Sequence, residues 1–91
     1  MKFQKVKSMQ KLYGYAELQM MIDTGMAWRM EGSYGRMAMD AILSGACMLP
    51  TSSRRGSYGN TIPSRYQVAE GSAGSYRNTV NFYLNIEDYE D

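Results

Sequence analysis

The feature that most constrains the fold is a pair of helical patterns meeting at Glu31-Gly32-Ser33, inside the stretch Thr24 to Leu49. In the second pattern Tyr34, Ala38, Ala41, Ile42, Gly45 and Leu49 share one side, with Arg36, Asp40 and Ser44 turned away from its centre. Because Ala38, Ala41 and Gly45 are small, another stretch of backbone can approach that side closely. The first pattern sets Tyr15, Leu18, Met21, Ile22, Gly25 and Trp28 at three- and four-residue steps, which predicts one continuous helix beginning near Tyr13 and carrying on past Gly25. Gly32 is placed to end that helix in a left-handed conformation and Ser33 to cap the next. So short a connection implies an αα-hairpin of neighbouring helices.

Strand patterns flank this unit. Met1 to Lys7 alternates weakly and reads as an edge strand protected by its lysines, and Ser8 is a possible cap for the helical segment that follows. Pro50 closes the helical region, Thr51 to Asn60 is built from turn residues and reads as an exposed loop, and Ser64 to Ala69 reads as a short strand after Pro63. Glu70 to Ser75 (EGSAGS) reads as a turn. Thr79 to Ile86 shows the clearest alternation, with Val80, Phe82, Leu84 and Ile86 facing one way and Thr79, Asn81, Tyr83 and Asn85 the other. The expectation is an α+β fold: an N-terminal helical hairpin packed on one face of a small antiparallel β-sheet formed mainly by the C-terminal half. Ninety-one residues make a single domain, 1–91, which buries only about 60 to 65 per cent of its unfolded surface. All nine methionines precede Pro50 and supply adaptable helical packing.

Composition narrows the chemistry. There is no histidine, which removes Ser-His and Cys-His nucleophile pairs and imidazole-based zinc sites. The single Cys47 falls near the carboxyl end of the second helix, where the dipole disfavours a thiolate, and reads as a buried small residue. The acidic run Glu87-Asp88-Tyr89-Glu90-Asp91 lacks the ligand spacing of an EF-hand loop. GSAGSYRNT lacks the lysine of a phosphate-binding loop. No catalytic, metal or cofactor-binding residue is therefore assigned. A small enzyme using Asp40, Glu31 or Tyr34 as acid or base is the least supported reading, since nothing in the sequence pairs these groups.

The net charge of +1 gives no whole-molecule field toward nucleic acid or membrane, although Lys2, Lys5, Lys7 and Lys11 crowd one end and Glu87, Asp88, Glu90 and Asp91 the other. No apolar run resembles a signal peptide or a membrane span, so a cytoplasmic location is expected. The most suggestive surface is Ser52 to Gly59, with Arg54, Arg55 and Tyr58, supported by Arg65, Tyr66 and Tyr83. Arginine and tyrosine are enriched at protein interfaces, and together they also supply the phosphate contacts and stacking rings of single-strand binding. The expectation is a non-enzymatic interaction module that forms a homo-oligomer; the alternative is a single-stranded nucleic-acid-binding protein using the same Arg/Tyr surface, and an ordinary solvated loop is the simplest reading.

Glu31-Gly32-Ser33-Tyr34-Gly35-Arg36 running into Met39-Asp40-Ala41, with Tyr58-Gly59-Asn60 and Pro63-Ser64-Arg65-Tyr66, resembles stretches of small uncharacterised proteins of tailed bacteriophages. The resemblance covers residues from about 24 to 76. It implies an accessory protein in the host cytoplasm and carries no activity or functional residue with it.

Overall fold

The computed structural model describes residues 14–30 and 33–86. The expected edge strand at Met1 to Lys7, the Ser8 cap, the helix start near Tyr13, Glu31-Gly32 of the junction and the acidic run at 87–91 lie outside the described residues. The chain combines helices and a β-hairpin, an α+β fold. Helix α1 covers residues 14–24, a 3-10 turn Met26–Trp28 follows, and helix α2 spans Ser33–Ser44. Strands β1 (Arg54–Arg55) and β2 (Thr61–Ile62) pair antiparallel, Arg54 opposite Ile62 and Arg55 opposite Thr61, and helix α3 spans Tyr76–Ile86.

Helix α1 buries Leu18 and Ile22 and half-buries Tyr15 and Met21, the face its spacing gives. It stops earlier than the period predicts. Gly25 takes φ +83°, its N–H bonds back to the Ile22 carbonyl, and the chain turns into the 3-10 segment. Thr24 helps terminate the helix: its hydroxyl donates to the Met20 carbonyl at 3.0 Å and accepts from the Met26 N–H at 3.3 Å. A glycine that adopts the left-handed conformation without a Cβ clash thus outweighed a continuing apolar stripe. The turn then buries Ala27 and Trp28 against α2.

Helix α2 buries Gly35, Ala38, Ala41 and Ile42, and it too ends before the sequence pattern does. Gly45, at φ +101°, donates to the Ala41 and Ile42 carbonyls at 3.1 and 3.2 Å, and the residues read as its last turn leave the helix. They form instead a buried, non-helical spine, Ala46 to Pro50. Buried backbone outside a helix or sheet needs partners for its polar groups, and here they arrive from distant parts of the chain. Gln19 of α1 holds Met48 at both ends, accepting from its N–H at 2.7 Å and donating to its carbonyl at 3.1 Å. Tyr83 donates its hydroxyl to the Ala46 carbonyl at 2.7 Å. Arg65 donates through Nε to the Leu49 carbonyl at 2.8 Å and through its backbone N–H to Pro50 at 2.9 Å, while the Leu49 N–H bonds the Gly74 carbonyl at 3.0 Å. Leu18, Ile22, Ala38, Ala41, Ile42, Ala46, Cys47 and Leu49 form one core around this spine.

The C-terminal half differs most from expectation. Thr79 to Ile86 is not a strand but the body of α3, and Ser64 to Ala69 is a succession of turns, so no C-terminal sheet forms among the described residues. The loop read across Thr51 to Asn60 contains β1 and the tip of the hairpin. The alternation Val80, Phe82, Leu84 competes with a helical set, Thr79 with Phe82 and Tyr83, and it is this second set that is turned toward the core, while Leu84 is exposed. What tips the balance is a cap. Ser75 follows Gly74, whose φ is +93°, and its hydroxyl accepts from the Asn78 N–H at 3.2 Å, the position of an N-cap bond. The same hydroxyl accepts from the Gly71 N–H at 2.9 Å, fixing the turn that feeds the helix. Phe82 then meets Tyr15 and Tyr83 edge-on, at ring centroid separations of 6.3 and 5.0 Å.

Candidate recognition clefts

Two open clefts flank Trp28, where the 3-10 turn, α2 and the β-hairpin come together. Glycine makes the approach possible. A Cβ on Gly35 would lie 3.0 Å from the Ser57 hydroxyl and 3.3 Å from the Trp28 ring, so this helical position lets both the hairpin and the turn close onto α2. Ser57 donates to the Trp28 carbonyl at a long 3.5 Å, and Gly56 bonds the Asn60 carbonyl at 2.7 Å across the base of the hairpin loop.

The larger cleft encloses about 570 Å³, with Trp28, Met39 and Ile62 as its apolar lining, Met30 and Tyr58 at exposed positions, and Arg36, Asp40 and Asn60 as its charged and polar groups. Arg36 and Asp40 are four apart on α2, and among the described residues neither forms an ion pair. Tyr58 is 96% exposed, so its ring is held by almost nothing in its own chain. The smaller cleft, about 410 Å³, lies between the end of α1 and β1 and is lined by Thr24, Gly25, Trp28, Arg29, Ser53, Arg54, Arg55 and Gly56. Three guanidinium groups and no described acid line it.

The six residues singled out by sequence fall into distinct environments. Arg54, Arg55 and Tyr58 line the clefts. Arg54 is half-buried and donates through Nη2 to the Asp23 carbonyl, and Arg55 donates to the Gly59 carbonyl at 3.3 Å. Arg65 serves the spine: besides its bond to Leu49 it pairs with Asp23 at 2.6 Å, its side chain only 11% exposed. Tyr83 also serves the spine, from α3 and not from a strand; burial raises its phenol to about 12, with the neighbouring Cys47 and Tyr15 adding smaller contributions. Tyr66 is exposed and lines neither cleft. Trp28, Arg29, Met30, Arg36, Met39, Asp40 and Asn60 complete the clefts and were not among the residues the sequence marks for interaction, since helical period alone cannot distinguish a cleft wall from a solvated face.

Cys47 is fully buried, and its thiol points to the Tyr15 carbonyl at 3.5 Å. Burial, reinforced by the charge of Asp23, pushes the thiol up to about 11, so it holds its proton at neutral pH and fills space. Among the described residues no helix is long and apolar enough to cross a membrane. No family model, curated protein or solved structure matches the chain.

Proposed function

We propose that the chain is a non-enzymatic interaction module that recognises a second copy of itself through the cleft between α2 and the β-hairpin. The observation that carries this reading is the pairing of an apolar-floored cleft with a nearly bare aromatic ring, Tyr58, at its edge. Aromatic, methionine and arginine side chains are the ones enriched in protein interfaces, and this cleft assembles Trp28, Met30, Met39, Tyr58 and Arg36. In a two-fold arrangement the Tyr58 of each copy enters the cleft of the other, with Arg36 and Asp40 placed to meet their opposites across the axis. Helices α1 and α2 act in this reading as a helical hairpin that presents the cleft as one unit. A chain of this size has little core to spare, and burial of Met30 and Tyr58 in a partner adds apolar area that the monomer leaves in water. The resemblance to phage proteins fits an accessory role in a host cytoplasm, where recognition without chemistry is sufficient.

Light scattering over a hundredfold concentration range tests this. The wild-type chain is expected to reach twice its monomer mass, and Tyr58→Ser with Met30→Glu is expected to remain at 10.3 kDa while keeping wild-type circular dichroism. A wild-type chain that stays monomeric throughout the range removes the proposal.

A further inference from the structure

We propose that the smaller cleft, bounded by Arg29, Arg54 and Arg55, is a binding site for an oxyanion of the phosphate class. The site lies next to the self-association cleft and shares Trp28 and Gly56 with it, but neither Tyr58 nor Asp40 lines it, so it does not depend on that reading.

Arg54 is the fixed member. Its side chain lies on Gly25, where a Cβ would come 3.1 Å from Cδ and 3.6 Å from Nε, and its Nη2 is anchored on the Asp23 carbonyl at the end of α1. Anchoring leaves one donor unserved: Nε is sealed from solvent and has no acceptor among the described residues. Because Nε is sealed, an anion in the cleft would meet Arg54 at the Nη edge of its guanidinium, and the neighbouring Nε–H reports that contact without making it. Arg29 and Arg55 are exposed at the cleft mouth, so both retain free N–H groups that point into water. Ser53 adds a hydroxyl to the lining, whereas that of Thr24 is spent on its own helix end.

The electrostatics point the same way. Three guanidinium groups around one cleft, with no described carboxylate between them, repel one another, and a doubly charged anion reverses that repulsion. Guanidinium forks match the spacing of phosphate oxygens and hold them through paired N–H bonds, which a halide cannot exploit. The same chemistry is offered by free phosphate and by the phosphates of a nucleic-acid strand.

Nuclear magnetic resonance titration of the full chain at constant ionic strength tests the site, using inorganic phosphate as probe and the Arg54 Nε–H signal as readout. A saturable shift of that signal is expected, absent with chloride. In Arg29→Ala/Arg55→Ala, whose changes are confined to exposed side chains, phosphate affinity should fall about tenfold or more. Arg54→Lys, which keeps the charge and removes the fork, should lose affinity while the remaining amide spectrum is preserved. Tyr58→Ser should leave phosphate binding unchanged even where it abolishes self-association. Two further probes separate the sources: a single-stranded oligonucleotide that binds at least tenfold more tightly than phosphate, with steep salt dependence, assigns the site to nucleic-acid phosphates, and equal or weaker binding assigns it to free phosphate. A non-saturable shift, an affinity unchanged in Arg29→Ala/Arg55→Ala, or tighter binding of an acidic carboxylate peptide than of phosphate or oligonucleotide would overturn the proposal.

Discussion

The spine at Ala46 to Pro50 and the clefts around Trp28 use similar residues to opposite ends. In the spine, arginine and tyrosine are spent: Arg65 serves Asp23 and the Leu49 carbonyl, and the Tyr83 hydroxyl serves Ala46. At the clefts, Arg54 and Arg55 each give one bond to a backbone carbonyl, while the side chains of Arg29, Arg36 and Tyr58 have no hydrogen-bond or ion-pair partner among the described residues, and the buried Nε of Arg54 has none either. The contrast shows that residue type does not separate an arginine spent on the fold from one whose side chain is left without a partner. What separates them is whether unsatisfied backbone lies within reach, and a buried segment outside regular secondary structure always supplies some.

If that division is real, substitutions should act through stability on one side and through binding on the other. The largest effect is expected at Gly74. Its φ is +93°, and a Cβ there would lie 2.5 Å from the Leu49 side chain, so Gly74→Ala combines a strained backbone with a clash inside the spine contact. A loss of about 3 kcal/mol or more, seen as a melting temperature lower by roughly 12 to 24 °C, is the expected outcome. A near-neutral result would show that the spine tolerates displacement and is not the rigid half of the molecule.

Arg65→Gln comes next. It removes the charge partner of Asp23 and the fork that reaches the Leu49 carbonyl, two interactions in a largely sequestered setting, and should cost about 2 kcal/mol in urea unfolding without altering self-association. Ser75→Ala removes the α3 cap and should cost about 1 kcal/mol, accompanied by loss of helical circular dichroism. If α3 were a strand in solution, the substitution would leave that signal untouched.

The last effect is silent at neutral pH and appears only as a pH dependence. Cys47 and Tyr83 both hold their protons more tightly when folded, near 11 and 12 against ordinary values of 9.0 and 10.0. Because the unfolded chain releases these protons first, stability is full below pH 9 and declines as pH rises from about 9 to 12. Tyr83→Phe should flatten the upper part of that decline, above about pH 10, while lowering the plateau through loss of the hydroxyl bond to Ala46. An unchanged alkaline profile in the variant would mean that Tyr83 is not sequestered.

The sequence made some of this legible and not the rest, for identifiable reasons. The buried faces of α1 and α2 follow from a period set by apolar residues in contact with one core, Leu18 and Ile22 on one helix and Ala38, Ala41 and Ile42 on the other. The two helix ends are not legible because the period continues through Gly25 and Gly45, where a single backbone conformation decides more than several apolar positions. Helix α3 is hidden in the sequence because Val80, Phe82 and Leu84 alternate, and the deciding signal, Ser75 after Gly74, reads as part of a turn. The spine was out of reach altogether: its partners Arg65, Gln19 and Tyr83 lie 16, 29 and 37 residues away, and no local pattern announces a bond to them. The clefts were half visible, through Arg54, Arg55 and Tyr58, while Trp28, Arg29, Met30 and Asp40 join them only by tertiary placement.

The most direct test of the division into a spent half and a recognising half is a dilution series followed by amide chemical shifts. Self-association through the Trp28 cleft predicts concentration-dependent shifts at residues 28–30, 35–40 and 56–62, with those of 46–50, 64–65 and 74–83 constant. Shifts gathered on the exposed face of α3, or none over the whole range, would contradict it.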